Sequence, residues 1–209
     1  RRSPEKLTVI EFDERFFPLL DYVKELAGPK LQIIQNDALK VPVCDLEPGP
    51  RKIVANLPYH VSTLFLCQWL EHIDAFESLT LMFQKEVAQR LVACPGTPAY
   101  GRLSIMTQWL CYTTKVFDLP SSAFSPPPKV TSSVVHLEPR PMPLYPAAYS
   151  KLERVVAAAF NQRRKMLRSS LKNLLGDNCA SQLNQLGINP EKRAENLTIE
   201  EFCQISHLI

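Results

Sequence analysis

The sequence predicts an α/β fold over its first two thirds and an all-helical part after it. Three observations carry that expectation. Short runs rich in Val, Ile and Leu alternate with helix-like stretches through the first 85 residues, a proline-rich segment at 138–143 (EPRPMP) interrupts the pattern, and the apolar positions beyond it recur at helical spacing. Strand, helix and strand in this rhythm imply parallel strands joined by right-handed crossovers, hence a doubly wound sheet.

Each element has its own signal. LTVIE (7–11), LQIIQ (31–35), IVA (53–55) and LTLMF (79–83) read as strands buried on both faces. A helix over 13–26 is opened by Asp13 and closed near Gly28-Pro29, and a second covers 62–71. Residues 85–93 and 103–112 look helical, and 115–119 and 132–137 look like strands bracketing FSPPPK (124–129). Three consecutive prolines hold an extended chain and cannot enter a central strand, so this segment should be a stiff surface loop. The alternate prolines at 138–143 make a semi-rigid linker and place a boundary between domains at 1–140 and 141–209. In the first long helix beyond it, Leu152, Val156, Ala159, Phe160, Leu167, Leu171 and Leu174 form one apolar stripe, with Arg164, Arg168 and Lys172 on a neighbouring ridge. A shorter helix over 178–186 stops at Gly187, and Thr198 with Glu201 forms a capping box ahead of Phe202 and Ile205.

Composition narrows the function classes. Hydrophobic residues are 45% and charged residues 22% of the 209, close to the averages of ~45–50% and ~25% for globular domains, which argues against bulk disorder and fibrous repeats. No apolar run approaches the ~18 residues a membrane span needs, and the Arg1-Arg2-Ser3-Pro4 start shows no apolar signal segment. A cytoplasmic, membrane-free monomer is expected. Six cysteines, at 44, 67, 94, 111, 179 and 203, include no C-x-x-C pair, so reduced, buried thiols and no metal site are expected. The net charge of +3 is uneven: residues 1–140 balance, whereas the seven cations Lys151, Arg154, Arg163, Arg164, Lys165, Arg168 and Lys172 face a single acid, Glu153. Such a stretch suits either a polyanion partner or a solvated helix face.

In a parallel nucleotide-binding sheet the ligand lies over the carboxyl ends of the strands, where an acid binds ribose hydroxyls. Glu11 and Asp37 end successive strands and suit that role, although an acid there also caps the next helix. The next strand runs straight into Asn56-Leu57-Pro58-Tyr59. A strand-terminal Asn before a proline-stiffened turn and an aromatic can hold a planar amine: the Asn oxygen and a turn carbonyl accept its two hydrogens, and the aromatic stacks on the ring. An ordinary Asn-x-Pro turn with a core tyrosine is the plainer alternative.

These residues, with NDAL (36–39), MFQKEVAQRL (82–91), YGRLS (100–104), FSPPPKVTSSVV (124–135) and FNQRRKMLRSSL (160–171), resemble the small-subunit ribosomal RNA adenine dimethyltransferase family. The resemblance implies a Rossmann-like, S-adenosylmethionine-dependent methyltransferase core with a small all-helical C-terminal domain: catalytic domain 1–140, RNA-binding domain 141–209. It implies that Glu11, Phe12, Asp37, Ala38 and Asn56 bind the cofactor, that Asn56, Leu57, Pro58, Tyr59 and Phe124 grip the target adenine, and that Lys129, Arg163, Arg164, Lys165 and Arg168 meet RNA of the immature small subunit. The activity it implies is an enzyme giving N6,N6-dimethyladenine at two adjacent adenines in the 3'-terminal hairpin loop during ribosome biogenesis. Two departures stand out. His60 replaces the family's usual Asn. The family's G-x-G-x-G turn is also lacking: ten residues precede Glu11, none of them glycine, and the six glycines form no such loop. The first strand and glycine-rich loop are therefore expected to be missing from this sequence by truncation or omission. A macrolide-resistance type enzyme on large-subunit rRNA matches these motifs less well. A non-catalytic RNA-binding assembly factor, or a mitochondrial transcription-factor-like protein, is the alternative of a different class.

Overall fold

The structure, a computed structural model, describes residues 4–43, 46 and 51–209. Its two compact units fall within Arg1–Pro48 and Gly49–Ile209.

In the first unit, strands β1 (Leu7–Glu11) and β2 (Leu31–Gln35) pair in parallel, Glu11 opposite Gln35. Helix α1 (Phe17–Ala27) makes the crossover between them. Its approach is a 3-10 turn over Glu14–Phe16, which Asp13 caps by accepting the Arg15 N–H. Gly28 closes α1 at φ 67°, a backbone conformation that only glycine takes without strain. The helix expected from residue 13 is thus an Asp-capped turn followed by a helix whose first turn carries Pro18.

In the second unit, β3 (Arg51–Asn56) and β4 (Phe76–Gln84) are parallel neighbours joined through α2 (Ser62–Glu71). The chain continues through α3 (Lys85–Leu91) and α4 (Arg102–Leu110) into β5 (Cys111–Leu119), then β6 (Ser132–Pro139). Strand β6 inserts between β4 and β5, antiparallel to both, giving the order β3-β4-β6-β5. Strand β4 is the core of this sheet: Leu79, Leu81 and Phe83 alternate along one face and are fully buried. Phe65, Leu66, Trp69 and Leu70 of α2 and Ile105 and Trp109 of α4 complete the core, and α3 packs on β4, β5 and β6.

Three expectations need correction. The strands are not all buried on both faces. Among the described residues strand β3 pairs with β4 alone, and it alternates in exposure along its length with Val54 81% exposed. The cysteines divide: Cys111, Cys179 and Cys203 are buried, Cys67 and Cys94 are exposed, and Cys44 lies outside the described residues. Burial pushes the Cys111 and Cys203 thiols up to about 12.

The single long helix over 152–174 is also not formed. Helix α5 (Tyr149–Asn161) ends, a turn intervenes, and α6 (Leu167–Ser170) and α7 (Lys172–Leu175) follow as short pieces. Long-range backbone bonds at the start of α6 win over propensity: Leu167 and Arg168 donate to the carbonyls of Lys192 and Pro190, and Met166 bridges Arg193. The apolar positions still face inward, with Leu152, Val156, Leu167 and Leu171 fully buried. Helices α8 (Cys179–Gln185) and α9 (Ile199–Ser206) complete this region, α9 packing on α5 with Phe202 stacked on Phe160 at 5.9 Å. The segment after β6 is pinned to the core. Arg140 N–H donates to Leu110 O, its Nε to Gln108 O, and its guanidinium lies 4.0 Å from the Tyr112 ring centroid. Among the described residues no helix is long and apolar enough to cross a membrane.

Candidate active site

The topology of the second unit gathers one set of chemistry-bearing residues at one end of its sheet. Strands β3 and β4 are parallel, so Asn56 and Gln84 end them on the same side. Ser132, which starts β6, pairs with Gln84, and Leu119, which ends β5, pairs with Ser132. The Asn56–Tyr59 turn, Lys85 and the 120–131 loop carrying Phe124 therefore share the carboxyl end of the parallel strands, where open α/β sheets place their ligands.

The turn after β3 has a buried anchor and exposed tips. Leu57 is 7% exposed, while Asn56 and Pro58 are exposed and Tyr59 is half-buried. A Pro58 carbonyl bond from Val61 N–H (3.1 Å) closes the turn, and Ser62 Oγ donates to Tyr59 O at 3.0 Å. The Tyr59 hydroxyl meets Ser132 Oγ at 2.6 Å, and Ser132 is fully buried. That bond ties the first residue of β6, and so the end of the proline loop, to the aromatic of the turn. Within the loop a 3-10 turn over Ser121–Ala123 precedes the half-buried Phe124, Ser125–Pro126 is cis, and Lys129 is exposed.

Beside them lies a network that the sequence did not reveal. Asp118 accepts from Ser133 Oγ (2.7 Å) and is paired with Lys115 (3.0 Å) and Lys85 (2.9 Å). The Ser133 hydroxyl and the two ammonium groups hold its carboxyl well below the usual carboxylate range. Lys85 N–H also donates to Thr131 O, so the end of β4 and the entrance of β6 are locked together. Lys115 is a neighbour of Asp118 on the same strand, whereas Ser133 and Lys85 are brought to it, and Ser132 to Tyr59, by the packing of segments distant in sequence.

In the first unit, the acids at the carboxyl ends of β1 and β2 are both held by main-chain donors. Glu11 Oε1 accepts from Phe12 and Asp13 N–H, each at 2.8 Å, and Asp37 Oδ1 accepts from Leu39 N–H at 3.0 Å. Phe12 is 74% exposed, and Asp37 and Ala38 are half-buried. Asp37 thus caps the turn that follows it, whereas after β1 that role falls to Asp13, and these bonds orient each carboxylate at a strand end.

The cations of the FNQRRK segment sit on the turn between α5 and α6, not on a helix ridge. Arg164 and Lys165 are exposed. Arg168 is 3.9 Å from Glu191, a loose pair with both side chains more than half exposed. Arg163 instead engages Glu195 and the carbonyls of Pro98 and Tyr100.

The Asn-Leu-Pro-Tyr turn and the loop carrying Phe124 thus share the carboxyl end of an open α/β sheet, and the comparisons with known proteins make the chain a methyltransferase. The chain belongs to the ribosomal RNA adenine dimethylase family, whose model matches residues 1–209. It is similar to proteins named ribosomal RNA small subunit methyltransferase A. That of Rhodospirillum rubrum is 48% identical over 207 residues, 98% of this chain and 70% of the relative, and that of Paramagnetospirillum magneticum is 48% identical over 204 residues, 98% and 72%. Among solved structures, a dimethyladenosine transferase from Plasmodium falciparum superposes with a TM-score of 0.83 at 28% identity, covering 96% of this chain and 80% of that one. The 23S rRNA methyltransferase ErmE shares the fold, with a TM-score of 0.66 at 23% identity over 97% and 81%.

Proposed function

We propose that the protein transfers methyl groups from S-adenosylmethionine to the exocyclic N6 of two adjacent adenines in the 3'-terminal hairpin loop of small-subunit rRNA, during ribosome biogenesis. The observation that carries this reading is the Asn56–Tyr59 turn at the carboxyl end of β3, with its aromatic fixed to the strand that leaves the Phe124 loop. The oriented carboxylates of Glu11 and Asp37 fit an adenosyl group: a carboxylate held by main-chain N–H bonds accepts hydrogen bonds from ribose hydroxyls or an adenine amine. We assign Glu11, Phe12, Asp37, Ala38 and Asn56 to the cofactor. When bound, it supplies a methyl group activated by a sulfonium.

The protein's residues do the positioning. The lone pair of the adenine amine is delocalised into the ring, so the amine is a poor nucleophile. Asn56 Oδ1 and the Leu57 carbonyl accepting both amine hydrogens favour a pyramidal nitrogen aimed at the methyl group, and Pro58 stiffens the turn that presents them. Tyr59 and Phe124 receive the unstacked base between aromatic faces. Lys129, Arg164, Lys165 and Arg168 are the exposed cations assigned to RNA phosphate. The helical region 141–209 is the RNA-binding part and 1–140 the catalytic part.

Asn56→Ala tests the reading. Methyl transfer from labelled cofactor to unmodified small subunits should fall by far more than tenfold, about 1.4 kcal/mol, with RNA affinity unchanged. Activity within tenfold of the parent removes Asn56 from the mechanism.

A further inference from the structure

The basic turn between α5 and α6 is held in place by one of its own cations. After Asn161 the chain leaves the helix at Gln162, and Lys165 N–H donates to Gln162 O at 2.8 Å, closing a tight turn that presents Arg163, Arg164 and Lys165 together. The side chains then part. Arg163 Nε bonds Glu195 Oε2 at 3.1 Å, and one of its terminal nitrogens bonds Tyr100 O at 3.2 Å and Pro98 O. The two segments it reaches are themselves joined, since Gly96 N–H donates to Glu195 O at 2.7 Å. On the far side of the turn, Leu167 and Arg168 are fastened to Lys192 and Pro190. The guanidinium therefore meets a carboxylate and two carbonyls from two segments, using the planar fork of donors that distinguishes arginine from lysine. A phosphate could take the Nε edge of this group only by displacing Glu195, itself an anion.

We infer that Arg163 is a positioning residue: it clamps the basic turn to the 98–100 loop of the α/β core, so that Arg164, Lys165 and Arg168 present their charge to RNA at a set place relative to the catalytic end. Resting on the RNA-methyltransferase reading above, the inference takes Arg163 out of the phosphate-binding set.

The clamp and the phosphate role differ in what a lysine can replace. A phosphate contact needs a point charge, which lysine supplies. A clamp on acceptors from two separate segments uses donors spread over Nε and a terminal nitrogen of the planar fork, a spread that the compact ammonium of lysine lacks. Unmodified small ribosomal subunits would be titrated at several salt concentrations with the Arg163→Lys, Arg163→Gln, Arg164→Lys, Arg164→Gln and Glu195→Ala proteins, each checked for folding by thermal melting. Arg164→Gln should flatten the salt dependence by about 0.7 to 0.9 per lost contact, and Arg164→Lys should behave as the parent. Arg163→Lys and Arg163→Gln should weaken binding several-fold and equally, with the salt slope of the parent, and Glu195→Ala should do the same. If Arg163→Lys restores binding while Arg163→Gln flattens the slope as Arg164→Gln does, or if Glu195→Ala tightens binding by freeing Arg163, the clamp is overturned. Unchanged binding by both Arg163 variants overturns it too. A parent-like slope in Arg164→Gln instead removes the RNA-binding role of the turn itself.

Discussion

The Tyr59–Ser132 bond separates two jobs of one aromatic residue. Tyr59→Phe keeps the ring and removes the hydroxyl, leaving Ser132 Oγ without the partner it has at 2.6 Å in a fully buried position. A buried orphan of this kind costs about 1–3 kcal/mol. Ser132→Ala leaves the hydroxyl of Tyr59, a residue that is only half-buried, and should cost the net bond, about 0.5–1.5 kcal/mol. The double variant has no orphan, and its cost should fall below the sum of the singles. Urea unfolding of the four proteins gives the coupling energy directly, since contacting residues deviate from additivity by ~0.5 kcal/mol or more. Methyl transfer should follow the same order: the Phe variant retains stacking with a less well-placed ring, whereas Tyr59→Ala loses a base–aromatic contact of about 1–3 kcal/mol. Additive stabilities, or a Tyr59→Phe protein as stable as the parent, would refute the argument that this bond fixes the aromatic.

Phe124→Ala should weaken capture of the target adenine by about 1–3 kcal/mol in single-turnover methylation, and parent-like turnover would make the proline loop a scaffold only. Asp118 has its folded pKa depressed by Ser133, Lys85 and Lys115, so its contribution is present above the ordinary carboxylate pKa and lost as the pH falls below it. Acid unfolding of Asp118→Asn should then begin from a lower stability at neutral pH and show a shallower decline in acid than the parent. Thr198→Ala removes the oxygen that accepts the Glu201 N–H at 3.2 Å and should lower stability by about 1 kcal/mol in denaturant unfolding.

Much of the fold was legible because it is local. The capping box at Thr198 and Glu201 forms with both bonds, Thr198 N–H to Glu201 Oε2 at 2.8 Å and the return from Glu201 N–H. The helix expected over 62–71 has those bounds, and the Asn56–Tyr59 turn stands at a strand end as its spacing required. Periodicity and capping act within a few residues, so the sequence by itself determines them. Tertiary structure decided what depends on partners far away along the chain. It set β6 between β4 and β5, joined Tyr59 to Ser132 across 73 positions, and broke the helix after Asn161 because Leu167 and Arg168 find backbone acceptors at Lys192 and Pro190. It also divided four cations that look alike in sequence, since only Arg163 reaches Glu195 and the carbonyls of Pro98 and Tyr100. A side chain's type and spacing state which bonds it can make, and the packing of distant segments settles which of those partners stand within reach.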